Sequence, residues 1–108
     1  MSKFHTNLTV SQKLARLGVK AESEKYWKQF DPRLGDDQKG WKIQSSKDNS
    51  WLTQLPAYSL SELADVLREV EEIKEWEIMN GSVRFIAVCQ EFLHGGESAA
   101  NKYLEEII

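Results

Sequence analysis

The dipeptide Asn80-Gly81 constrains this chain most, because the residues around it agree with it. Asn-Gly is the preferred centre of a two-residue type I′ hairpin turn, since both positions take positive φ. Folding the chain there sets Met79 against Ser82, Ile78 against Val83, Glu77 against Arg84 and Trp76 against Phe85. One face of the ribbon then carries apolar cross-strand pairs and the other an opposite-charge pair. Turn chemistry and register together predict a hairpin. Phe85, Val88, Cys89 and Phe92 also stand at helical spacing, with Gly95-Gly96 as a stop. The hairpin register favours a strand, and the continuous apolar run suggests a central one.

The rest of the chain supplies elements to pack against that ribbon. Thr9 and Gln12 match a capping box, Val10, Leu14 and Leu17 follow on one helical face, and Gly18 stands at the C-cap, so the spacing predicts a helix over Thr9 to Leu17. Aromatic enrichment predicts a strand over Glu24 to Phe30, with Tyr26 and Phe30 on one face and Trp27 on the other. Asp31 to Gly35 reads as a turn and Asp36 to Gly40 as a polar, mobile loop. Alternation predicts a second strand at Trp41 and Ile43 and a third at Trp51, Thr53 and Leu55, ended by Pro56. Ser59 and Glu62 form the clearest capping box, with Tyr58 and Leu63 as a hydrophobic staple and an apolar stripe running on to about Glu72. A last helix starts at Ser98. The expectation is an α+β fold: an antiparallel sheet of about 4–5 strands with three helices packed mainly on one face. The 108 residues form one domain, with residues 1–7 a flexible N-terminus.

Charge narrows the function classes. The net charge is −3, with Lys and Arg scattered among Asp and Glu, which argues against the basic stripe of a nucleic-acid binder. Cys89 is the single cysteine and lies in an apolar run, so it reads as a buried thiol. No apolar leader and no stretch of ~20 apolar residues is present, which predicts a cytoplasmic protein away from membranes.

Chemistry is harder to find. His5 and His94 are far apart and lack Cys or carboxylates at ligand spacing, so no metal site is expected. Cys89 and His94, five residues apart, are badly placed for a dyad on either a strand or a helix. Asp36-Asp37 lacks the alternating ligands of a calcium loop. Gly95-Gly96 lacks the Lys-Ser/Thr pair or GxGxxG setting of a phosphate loop. The run Glu69, Glu71, Glu72, Glu75, Glu77 around Lys74 reads as a solvated helix end. The expectation is a non-enzymatic protein without cofactor.

The four tryptophans, Trp27, Trp41, Trp51 and Trp76, are the remaining signal. Helices covering one sheet face leave part of this aromatic set on the other. Exposed aromatics of this kind anchor protein contacts. Tyr26, Trp27, Trp41 and Trp51 are therefore the candidate partner-binding residues, for a protein partner or for self-association as a homodimer. The alternative is a single-stranded nucleic-acid binder that stacks bases on the same aromatics beside Lys25, Lys28, Lys39 and Lys42.

Leu17-Gly18-Val19, Tyr26-Trp27, the run Pro56-Ala57-Tyr58-Ser59-Leu60-Ser61-Glu62-Leu63 and the closing Gly96-Glu97-Ser98-Ala99-Ala100 together resemble small α+β proteins of phages and prophages. The resemblance covers much of the chain, but its motifs are caps and core positions. It implies a fold and brings no defined activity and no catalytic residues with it; the reading as an accessory or inhibitory interaction protein rests on the missing catalytic signals and the aromatic sheet face.

Overall fold

The computed structural model describes residues 4–35 and 37–108. Among them the order is α1 (Leu8–Leu17), β1 (Tyr26–Gln29), β2 (Trp41–Gln44), β3 (Gln54–Pro56), α2 (Leu63–Ile73) and α3 (Asn80–Ile107). Short 3-10 turns at Pro32–Leu34 and Gln38–Gly40 join β1 to β2. The class is α+β, with three helices and a three-stranded antiparallel sheet of order β2-β1-β3 among the described residues.

That sheet is smaller than the 4–5 strands expected, and the reason lies at Asn80-Gly81. The predicted hairpin does not form; Asn80 begins the longest helix of the chain. Glu75 and Met79 take the positive φ values, 56° and 74°, that the turn reading assigned to Asn80 and Gly81. Gly81 instead serves a close helix crossing. A Cβ there would stand 2.6 Å from the Leu67 carbonyl oxygen. Its N–H donates to Glu71 Oε1 at 2.7 Å, and Asn80 Oδ1 accepts from Arg84 Nε at 2.7 Å. The helical spacing of Phe85, Val88 and Phe92 thus prevails, because all three pack with the helical core. Trp76 and Phe85 both join that core instead of pairing across strands, and the Arg84 guanidinium lies 4.5 Å from the Trp76 ring centre. Gly96, at φ 76° and ψ −165°, breaks α3 into helical stretches 80–95 and 97–107. The second stretch is the helix predicted from Ser98.

Local signals elsewhere do their work. Asn7, rather than Thr9, caps α1, its Oδ1 accepting from Val10 N at 2.9 Å. Gly18 ends that helix, with Val19 N donating to Leu14 O at 3.2 Å. The Ser59–Glu62 capping box is present in both directions: Ser59 N donates to Glu62 Oε1 at 2.8 Å and Glu62 N to Ser59 Oγ at 3.3 Å. Tyr58 and Leu63 are both buried in the helical core, as the staple requires.

Two cores result. The larger gathers Val10 and Leu14 of α1, Leu63, Val66, Leu67 and Val70 of α2, and Val88, Ala100 and Leu104 of α3, with Phe4 and Tyr58. The smaller joins Trp27, Trp41, Ala57 and Leu8 under the sheet. α2 packs principally on α3, and the helices reach the sheet through α1 and β3, so they cover one another as much as they cover the sheet.

The predicted flexible terminus meets a packed segment at residues 4–7; Met1, Ser2 and Lys3 lie outside the described residues. Phe4 and Thr6 are buried, and His5 forms a single antiparallel bridge with Ser59. Thr6 Oγ1 accepts from Tyr58 N and pairs with Ser11 Oγ, both at 2.9 Å. Buried Asn101 accepts from Asn7 N at 2.8 Å and donates to His5 O and Glu97 O. Every buried side-chain polar atom among the described residues has a partner, so this network is a satisfied one. In the β1–β2 connection, Asp37 caps the turn Gln38–Gly40, while Asp36 of the predicted mobile loop lies outside the described residues.

Candidate functional site

The sheet register settles where the candidate aromatics stand. Trp27 pairs with Ile43 and Leu55, and Gln29 with Trp41, so Trp27 and Trp41 project from the same face. That face is the one packed on Leu8 and Ala57. Both indoles are committed: Trp27 Nε1 donates to Thr6 O at 3.0 Å, and Trp41 Nε1 to Gly35 O at 3.1 Å. Tyr26 projects from the other face and is also covered, its hydroxyl accepting from Ser23 N at 3.3 Å. Tyr26, Trp27 and Trp41 are each only 6–7% exposed. Trp51 is 87% exposed, in the β2–β3 connection and outside β3, where the sequence expected a strand. Of the four, then, the fold brings Trp27 and Trp41 together in the core and leaves Trp51 alone in solvent.

The outer sheet face keeps a modest groove of about 290 Å³ lined by Lys28, Phe30, Lys42, Gln44 and Leu52. Lys42 Nζ sits 4.8 Å from the Phe30 ring centre. Lys28 is paired with Asp48 at 2.6 Å, and that ammonium holds the Asp48 carboxyl below its ordinary range.

A second cleft, about 390 Å³, opens between the N-terminal segment 4–7 and the start of α2, lined by Phe4, His5, Lys25, Ser59, Glu62 and Phe92 among others. Of its two carboxylates, Glu24 and Glu62, the second is already occupied. Glu62 accepts from Ser23 Oγ at 2.8 Å, Ser59 N at 2.8 Å and Glu24 N at 3.1 Å. Burial pushes the Glu62 carboxyl up, but these hydrogen bonds outweigh it and hold the group below the ordinary glutamate value. Glu62 is thus an anionic clamp fastening residues 23–24 to α2. His5 Nε2 lies 3.6 Å from Glu97 Oε1 across the same region. Cys89 is half-buried rather than buried as expected, and that partial burial raises its thiol and favours the neutral, poorly nucleophilic form. No group of three or more His, Cys, Asp or Glu side chains is placed to hold a metal ion among the described residues. No helix among them is long and apolar enough to cross a membrane.

The most distinctive surface is one the sequence reading missed. The 80–95 stretch of α3 is apolar on two opposite sides. Gly81, Phe85, Val88 and Phe92 face the core. Val83, Ile86 and Leu93 recur at spacings of 3 and 7 on the other side, with Gln90 completing the line and Met79 and Ile78 extending it past the helix start. These five apolar side chains are between 58% and 88% exposed. Ser82, Ala87 and His94 flank the line; Arg84 and Glu91 lie round toward one edge, so no Lys, Arg, Asp or Glu interrupts it. A helical-period count over 79–93 carries this signal, but the strand reading of the same residues concealed it.

No family model, curated protein or solved structure matches this chain.

Proposed function

We propose that this protein is a non-catalytic interaction module, an accessory or inhibitory protein, and that it engages a protein partner through the outer face of α3. The observation that carries this reading is the exposed apolar line Met79, Val83, Ile86, Leu93, with only the uncharged Gln90 among them, on a chain in which 29% of residues are charged. Exposed apolar surface costs free energy in water, and charge depletion at the centre of a patch is the compositional mark of a contact surface. In the cleft beside the start of α2, Glu62 is occupied as a structural clamp, which weighs against its service as a general base. The test is chemical cross-linking followed by affinity capture with wild type, Val83→Glu and Ile86→Glu, with Trp51→Ala as control. Loss of the captured protein on either α3 substitution, with Trp51→Ala unchanged, is the expected outcome. Capture that survives both glutamates would sink the reading.

One observation favours a second reading. The groove on the outer sheet face pairs Phe30 with Lys28 and Lys42, and Trp51 stands exposed one residue before the groove-lining Leu52. A single-stranded nucleic acid could stack on these rings while its phosphates met the lysines. Anisotropy titration with a labelled oligonucleotide decides it: affinity falling steeply between low and physiological salt supports it, and no binding at low salt removes it.

A further inference from the structure

We infer that the occupant of the α3 outer face is a second copy of this chain, its helix 80–95 packed antiparallel on the first about a twofold axis at Ile86. The inference rests on the interaction reading above and names the partner.

Four features of the surface lead there. The first is self-complementarity. A twofold interface must match itself, and this line is apolar apart from the uncharged Gln90 and carries no Lys, Arg, Asp or Glu, so no residue on it repels its own copy. The second is charge over the whole chain. Each copy carries −3, so two copies approach with least repulsion on a face without charged side chains, and this is such a face. The third is area. The exposed surface of Ile78, Met79, Val83, Ile86 and Leu93 is on the order of 600 Å² per copy, near the ~800 Å² that each partner gives to a standard stable interface. That is close to a tenth of the chain's 6860 Å².

The fourth feature decides direction. Glu71, Glu72, Glu75 and Glu77 crowd the end of α2 and the turn that leads into α3. A parallel pair would set two such acidic ends side by side. An antiparallel pair separates them by about the length of the helix, roughly 24 Å, which is several Debye lengths at physiological salt. It also aligns the helix dipoles favourably. With the axis at Ile86, Met79 meets Leu93 of the second copy and Val83 falls between its Cys89 and Gln90. Gln90 is then the one polar group in the seam, placed to set register as single polar seam residues do in coiled coils.

Size exclusion with light scattering at low and high salt tests the partner. The expected mass is twice 12.5 kDa at both salts, since the contact is apolar, and 12.5 kDa for Ile86→Glu and for Val83→Glu with an unchanged far-ultraviolet circular dichroism spectrum. Direction is read by oxidation in a Cys89→Ser background. Mixing Met79→Cys with Leu93→Cys chains should give the mixed disulfide, with neither variant cross-linking to itself; self-linked Met79→Cys would overturn the antiparallel arrangement. A wild type of 12.5 kDa at about 100 µM would overturn the second copy as occupant. If Ile86→Glu then still abolishes capture of another protein, only this inference fails. If capture is unchanged as well, the interaction reading fails with it.

Discussion

At Gly81 a methyl group would arrive 2.6 Å from the Leu67 carbonyl oxygen, with the Leu67 carbon at 3.0 Å and Arg68 N at 3.3 Å. Backbone cannot rotate away as a side chain can, so the helices must part. Gly81→Ala is therefore expected to destabilise the fold by about 1–3 kcal/mol, the scale of overpacking. At a glycine in an open helical position the same change would stabilise by ~0.5–1 kcal/mol. The sign, read from urea melts, reports on the crossing directly. Glu62 makes the second residue-scale prediction. Its folded value lies below the ordinary 4.5, so the unfolded chain binds more protons in acid. The contribution is complete above that ordinary value and is lost as pH falls through it toward the folded one. Glu62→Gln should lower stability at pH 7 and flatten the decline of stability in the acid range, as measured by thermal melts from pH 7 to pH 3.

Among the elements, the N-terminal segment 4–7 and the last stretch of α3 stand or fall together through Asn101. Its side chain serves Asn7 N, His5 O and Glu97 O, and it is 3% exposed. Asn101→Ala leaves those backbone groups short of partners and should cost about 2–3 kcal/mol. Hydrogen exchange should show the Asn7 amide losing protection first, with α2 amides retaining theirs until global unfolding. Helices α1 and α2 were legible because their signals are local: an interior stripe at 3.6-residue spacing, a glycine stop at Gly18, a capping box at Ser59 and Glu62. β1 and β2 were legible for the same reason. The element at residues 80–95 was not, because Asn-Gly and alternating apolar residues favour a hairpin when read locally. The segment's second apolar face, Phe85, Val88 and Phe92, had to find α2 and Phe4 before helix became the better solution.

Over the whole molecule, the aromatic residues divide by position and not by type. Trp27→Ala should cost about 3–5 kcal/mol, as for other large-to-small core changes. Trp51→Ala should stay within about 0.5 kcal/mol, as exposed surface changes do. Urea melts check both, and acrylamide should quench Trp51 well ahead of Trp27 and Trp41. The chain by itself determined the α+β class, the Gly18 stop and the Ser59–Glu62 capping box, two of the strands and the inward stripes of α1 and α2, since each depends on residues within a few positions of one another. Only the tertiary structure decided that Tyr26, Trp27 and Trp41 are core, that Gly81 is a helix crossing, and that the candidate contact surface lies on α3. Burial depends on what lies opposite. The backbone that meets Gly81 belongs to Leu67, the carbonyl that takes the Trp27 indole belongs to Thr6, and the apolar line left uncovered on α3 is simply the side that α2 does not reach.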